Sequence, residues 1–265
     1  MIEKYYNGVI EQVAGGIGNV EHNSILVRYS NDFSIWDLES VNHYKDQKDI
    51  FFTCHEFSYN KIAEAYEPYL GLIRQMFHKY CSGTLEEFME ECDVYKLQRP
   101  VFESYFEKGF CERTEQILID EVEYEQERMH SSIVTMLQKL SEICPIVIVL
   151  NRFQLASKST MQLTNRLLQT KNKNIGIVLG VNDVQSIPEF AHEEWDAICE
   201  SMDDRNMVYH IGNAGRNMEP DVMDYYSDYE SDDGYRKLNN LVYFLDFDQA
   251  NHHLSKIERR IKFDN

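Results

Sequence analysis

Apolar positions recur along this chain with two alternating periods, and the alternation predicts an architecture. Residues 3–14 read as a short helix stopped by "GGIG", with glycine in the stop position. The run 24–29 is strand-like, 37–46 helical, and "DIFFTC" at 49–54 strand-like again. Between 60 and 80, Ile62, Tyr66, Tyr69, Ile73 and Phe77 fall at helical intervals, which predicts one amphipathic helix. A shorter helix opens at Thr84 and Glu87, a capping-box pair.

The second half repeats the alternation more plainly. Residues 113–143 predict one long helix or two abutting ones, ended by Pro145. "PIVIVL" is then apolar at every position, as expected of a strand covered on both faces. A helix over 157–170, a strand over 174–181, a helix over 188–204 and a strand over 206–211 follow. Strands alternating with helices of this length indicate βαβ crossovers and a three-layer αβα parallel sheet. From 216 to 236 the periodicity collapses into an acid-rich stretch, expected to be a solvated loop. The end is expected to be a strand or extended piece followed by a helix from about Asp248. These breaks divide the chain into an N-terminal helix and turn (1–23), a main domain (24–214), the acidic loop (215–236) and a C-terminal strand/helix element (237–265).

Composition restricts the partners. The chain has 265 residues, 43% of them hydrophobic, enough for a sizeable core. Its formal charge of −19 argues against direct binding of nucleic acid, which needs clustered Lys and Arg. The six cysteines stand singly with no zinc spacing, and no apolar run is long enough to cross a bilayer. A cytoplasmic protein with reduced thiols, no membrane association and no metal is therefore expected.

At "CPIVIVLNRFQLASKSTMQLTNRLL", 144–168, the chain resembles the Walker B region of the AAA-like P-loop ATPases of STAND-type regulators and signal-transduction ATPases. "FFTCHEF", "NIGIVLGVND" and "LVYFLDFDQANHHLSKI" are similar to further segments of that family, so the likeness extends over roughly 24–260. It implies a fold of the P-loop NTPase type with a small C-terminal helical element. It places the Walker B positions at Asn151 and Arg152 and the sensor-1 residue at Asn182. The stretch "SNDFSIWD", between the first strand and the next helix, occupies the place of the phosphate-binding loop. On the frame G-x-x-x-x-G-K-[ST], Ser30 and Ile35 replace the glycines, Trp36 the lysine and Asp37 the hydroxyl residue. Walker B loses its carboxylate as well, since Asn151 is neutral and Arg152 carries the opposite charge.

Two losses at distant stretches imply a pseudo-ATPase, a non-catalytic regulatory or interaction module with a protein partner and no cofactor. The alternative is a nucleotide-binding or active ATPase that takes ATP and Mg²⁺ through unorthodox residues such as Arg152 and Asn182. A third reading is an α/β protein unrelated to that family. Within the loop, Trp36 is expected to fill the mouth of a blocked pocket, against a plainer reading in which Trp36 and Phe33 simply pack. "GGIGN" is a turn and not a phosphate loop, because no strand precedes it and no Lys follows it. Arg28, inside a proposed central strand, must be paired or lie near the strand end. His252 and His253 have no partner at metal spacing, and the acidic run lacks the EF-hand pattern.

Overall fold

The computed structural model describes residues 2–18, 23–30, 33–58, 61–111, 122–170, 172–183, 187, 189–203, 207–211 and 232–263. Its centre is one sheet of five strands: β1 (Ser24–Tyr29), β2 (Phe51–Glu56), β3 (Ile146–Asn151), β4 (Ile175–Asn182) and β5 (Val208–Ile211). The order is β2-β3-β4-β1-β5, with every neighbouring pair parallel. The strands β3 and β4 are buried at every residue, which is why both are apolar nearly throughout.

Helices cover both faces. On one lie α1 (Ile2–Gly15) and α2 (Glu39–Lys45), whose Val9, Ile10, Val13 and Val41 form a core with Val147, Val149 and Val178. The other face carries α3 (Tyr69–Tyr80), α4 (Leu85–Glu91), α5 (Arg99–Lys108), α6 (Val122–Ile143), α7 (Lys158–Gln169) and α8 (His192–Asp203). Their larger core takes the alternate strand residues Ile146, Ile148, Leu150, Ile177 and Leu179. The result is a three-layer αβα arrangement. Two further helices, α9 (Asp232–Tyr243) and α10 (Phe247–Phe263), add Leu241, Phe244 and Ala250 to the larger core.

Two glycines of β4 set the spacing of the first layer. A Cβ at Gly176 would come within 2.6 Å of Val13, and one at Gly180 would land on the Tyr6 hydroxyl and 2.5 Å from Asn151 Oδ1. Four residues apart on one strand, they point to the same face. Their bare backbone lets α1 settle directly on the middle of the sheet.

Arg28 sits one residue before the end of β1, only partly buried, and its Nε donates to Asp183 Oδ1 at 2.7 Å. The strand therefore carries its charge at no cost in an unpaired buried group.

Several expected elements come out differently. The helix expected over 60–80 begins only at Tyr69, because Pro68 disfavours helical geometry at the residue before it and Tyr66 has φ of 57°. Ile62 and Tyr66, which completed the helical period, are buried from an irregular segment instead. The shorter helix expected from Thr84 ends at Glu91, and α5 follows it; the capping box itself is present, with Thr84 and Glu87 bonded reciprocally. The segment 241–246 is not a strand, since Leu241–Tyr243 end α9, which already begins at Asp232 inside the expected acidic loop. The rest of that loop, and 113–121 of the expected long helix, lie outside the described residues. The turn at "GGIG" forms: Gly16 caps α1 and Gly18, at φ of 95°, donates to Lys173 O at 2.7 Å.

Candidate functional site

Strand β1 leads to α2 on one face, and β4 leads to α8 on the other. The ends of β1 and β4 thus form the switch point of this sheet, where open α/β proteins leave a crevice for ligands. Tyr29 and Asn182 face each other there in register, and Asp183 N donates to Tyr29 O at 2.8 Å. Alternation along the strands puts Tyr29, Asn182, Asn151 and Glu56 on the α1 side of the carboxyl edge.

Instead of an open crevice, this corner holds aromatic rings. Tyr6 of α1 lies edge-on to Tyr29 and to Phe33, with centroids 6.5 and 5.2 Å away, and Tyr29 meets Phe33 at 4.9 Å. Such edge-to-face pairs contribute on the order of 1 kcal/mol beyond the area they bury. The Tyr29 hydroxyl reaches across β4 and donates to Asn151 Oδ1 at 2.7 Å. Gly180 makes this reach possible, since any side chain there would stand in its line.

Next to the rings is a charged corner. Glu56 ends β2, with Arg152 Nε 3.6 Å from Oε1 and Ser34 Oγ donating to Oε2 at 3.4 Å. Arg152 adopts φ of 52°, the left-handed region, as the N-cap of the short 3-10 turn Phe153–Leu155. Within the same turn Gln154 brackets the end of β4, donating to Asn182 O and accepting from Asn182 N, both at 3.4 Å.

The expected site residues therefore divide into two sets. Asn151, Asn182 and Arg152 gather at the carboxyl edge beside Tyr29, while Ser30 is partly buried at the start of the loop. Ile35 is fully buried with Leu38 in the smaller core. Trp36, expected to fill the mouth of the loop, is 50% exposed, and Asp37 is exposed beside it. The reason is the 3-10 turn Ile35–Asp37, capped by Ser34: it rotates Ile35 inward and Trp36 outward, while the half-buried Phe33 packs on Tyr6 and Tyr29. Asn31 and Asp32 lie outside the described residues.

Burial governs the chemistry of the corner. It pushes the Tyr6 hydroxyl well above the ordinary tyrosine range, with nearby Tyr29 and Glu56 adding to the effect, so Tyr6 is a neutral phenol. The buried Tyr6 Oη and Asn151 Nδ2 have no hydrogen-bond partner. Of the cysteines, all six free, burial raises Cys54 and Cys199 to about 11 and Cys92 and Cys111 to about 12, which removes them as nucleophiles near neutral pH. Among the described residues no group of three or more His, Cys, Asp and Glu is placed to hold a metal ion, and no helix is long and apolar enough to cross a membrane.

No family model matches the chain, and the curated proteins give no significant match. Function has to be argued from the corner itself. Glu56, Tyr6 and Gly180 complete it, yet none belongs to a motif. The one signal for them was the pair of glycines in an apolar strand, which marks a close approach by another element.

Proposed function

We propose that this chain is a non-catalytic regulatory or protein-interaction module on a scaffold of the P-loop NTPase type, its former nucleotide crevice closed by its own side chains. The observation that carries this reading is the hydrogen bond from Tyr29 to Asn151, with Tyr6 and Phe33 packed over it. Loop 30–37 and Asn151 stand on strands separated only by β4 and ending at one edge, the placement a loop and Walker B pair needs. Where such a pair would offer backbone N–H groups and a metal-binding carboxylate, this chain offers aromatic rings and an amide already bonded to a phenol. Arg152, the residue best suited to hold a phosphate in an unorthodox site, is turned to Glu56.

A thermal-shift titration with ATP and ADP, with and without Mg²⁺, tests the reading. A ligand at 100 times its Kd stabilises a fold by about 2.7 kcal/mol, or several degrees in Tm. The expected result is an unchanged Tm at millimolar nucleotide. A saturable rise, above all one that requires Mg²⁺, would overturn it.

A further inference from the structure

Strand β2 forms one edge of the sheet. Among the described residues β3 is its only partner strand, and every residue of β2 stays partly exposed where β3 is buried throughout. Phe51 N donates to Pro145 O at 2.7 Å and Phe57 N to Asn151 O at 3.1 Å, which fixes the phase of the ladder. Phe51, Thr53 and His55 therefore turn their main-chain groups toward β3, and Phe52, Cys54 and Glu56 turn theirs outward. Among the described residues nothing bonds to the outward groups of Phe52 and Cys54.

Such edges are normally guarded, by brevity, by lysine or proline, or by a bulge. The opposite edge, β5, is brief at four residues. Strand β2 has six, pairs with β3 without a bulge, and carries neither charge nor proline from Phe51 to Cys54. In a chain of formal charge −19, an uncharged edge of this length is suited to pairing.

We propose that β2 pairs antiparallel with β2 of a second copy of the chain, about a two-fold axis through Thr53 perpendicular to the sheet. The two five-stranded sheets then become one. This symmetry keeps each face with its like, so Phe52 meets Cys54 of the copy and Cys54 meets its Phe52. Both pairs face outward, and together they form about four main-chain hydrogen bonds. A large ring and a small thiol then share one face. On the other, Phe51 meets His55 of the copy, an aromatic pair of the kind that strengthens sheets.

Charge fits as well. Lys79 Nζ lies 5.5 Å from the centre of the Phe51 ring, and Glu67 Oε1 lies 3.6 Å from His55 Nε2. Pairing Phe51 with His55 thus brings Lys79 of each copy toward Glu67 of the other. A foreign strand meets the same edge, but a second copy supplies each of these matches twice. The pairing stands independently of the crevice reading.

Sedimentation equilibrium of the full chain at micromolar to submillimolar concentration tests it, with a concentration-dependent rise to twice the chain mass expected. Cys54→Pro removes an outward N–H and leaves the bonds to β3 in place, so it should give a monomer with wild-type circular dichroism. Thr53→Lys, which sets two like charges face to face, should do the same. Lys79→Glu, which opposes Glu67 of the copy, should weaken the dimer fivefold or more. Position 53 meets itself as a non-hydrogen-bonded pair with Cα atoms about 4.5 Å apart, within disulfide span. Oxidation of Thr53→Cys with copper phenanthroline should therefore crosslink the chain at position 53 at least tenfold faster than Ser131→Cys, at an exposed site on α6. The proposal is overturned by a wild-type chain that stays monomeric at submillimolar concentration, which would leave the edge to a strand of another protein. It is overturned too by a dimer that survives both Cys54→Pro and Thr53→Lys, or by equal crosslinking at positions 53 and 131.

Discussion

Tyr6 places its hydroxyl against the backbone of Gly180, fully buried and without a hydrogen-bond partner. Its ring is useful there and its oxygen is not. Tyr6→Phe is therefore expected to leave stability unchanged or raise it by about 1 kcal/mol, because a buried unpaired group is removed while the ring contacts remain; urea unfolding measures this. Tyr29→Phe should act in the opposite direction. It deprives the fully buried Asn151 Oδ1 of its donor, at a cost of about 1–3 kcal/mol in the same experiment. Gly180→Ala pushes a methyl group into the side chains of Tyr6 and Asn151, and about 1–3 kcal/mol or more should be lost. Combining it with Tyr6→Phe should recover part of that loss, since one of the two clashes is with the hydroxyl; a double-mutant cycle tests the coupling.

At the scale of elements, one carboxylate ties two helices together. Asp246 is buried, accepts from Ser159 N of α7 at 3.0 Å and from Gln249 N of α10 at 3.4 Å, and so caps both N-terminal turns. Burial nevertheless raises its pKa above the ordinary aspartate value, the hydrogen bonds offsetting only part of the desolvation. Asp246→Ala should cost roughly 2 kcal/mol or more, with amide exchange in α10 rising before that of the sheet. None of this was visible in the sequence, where the stretch around Asp246 is predicted to be extended: the aliphatic and aromatic letters of "LVYFLDF" suit a strand, and the packing of Phe244 and Leu245 against Tyr66, α5 and α6 goes with the helical end instead. Strands β3 and β4 were legible because burial on both faces keeps nearly every letter apolar up to the terminal asparagine, and β1 because Ile25, Leu26, Val27 and Tyr29 are apolar with Arg28 set near its end. The helix over 60–80 was half legible: Pro68, plainly present, was outweighed by a period that Ile62 and Tyr66 satisfy from a non-helical backbone. In the candidate site, Asn151 and Asn182 could be placed from strand ends alone. Tyr6 and Glu56 could not, because they arrive there from α1 and β2 through topology.

For the molecule as a whole, the half-buried His55 and the buried His130 make stability depend on acid. Burial lowers both His55 and His130 to about 4, against 6.5 for an unfolded chain. Glu56 opposes the shift at His55 while Lys61 and Lys237 add to it; at His130 Arg166 adds and Glu127 opposes. Between those values the unfolded chain binds more protons than the folded one, so stability is full above pH 6.5 and falls as pH drops toward 4. The slope should reach up to about 1.4 kcal/mol per pH unit for each histidine. Denaturation midpoints measured from pH 7.5 to 4.5 should show this decline, and His130→Gln should flatten it.

The 3-10 turn that buries Ile35 and turns Trp36 outward also gives the chain an optical asymmetry. Of its two tryptophans, Trp36 is half exposed on the loop after β1, and Trp195 is 4% exposed on the buried face of α8. Their emission should separate into a red-shifted component open to acrylamide and a blue-shifted one shielded from it. A partner that covers the crevice loop would alter the first alone, whereas loosening of the α8 layer would alter the second. A Trp36→Phe variant would leave a single emitter reporting on the interior.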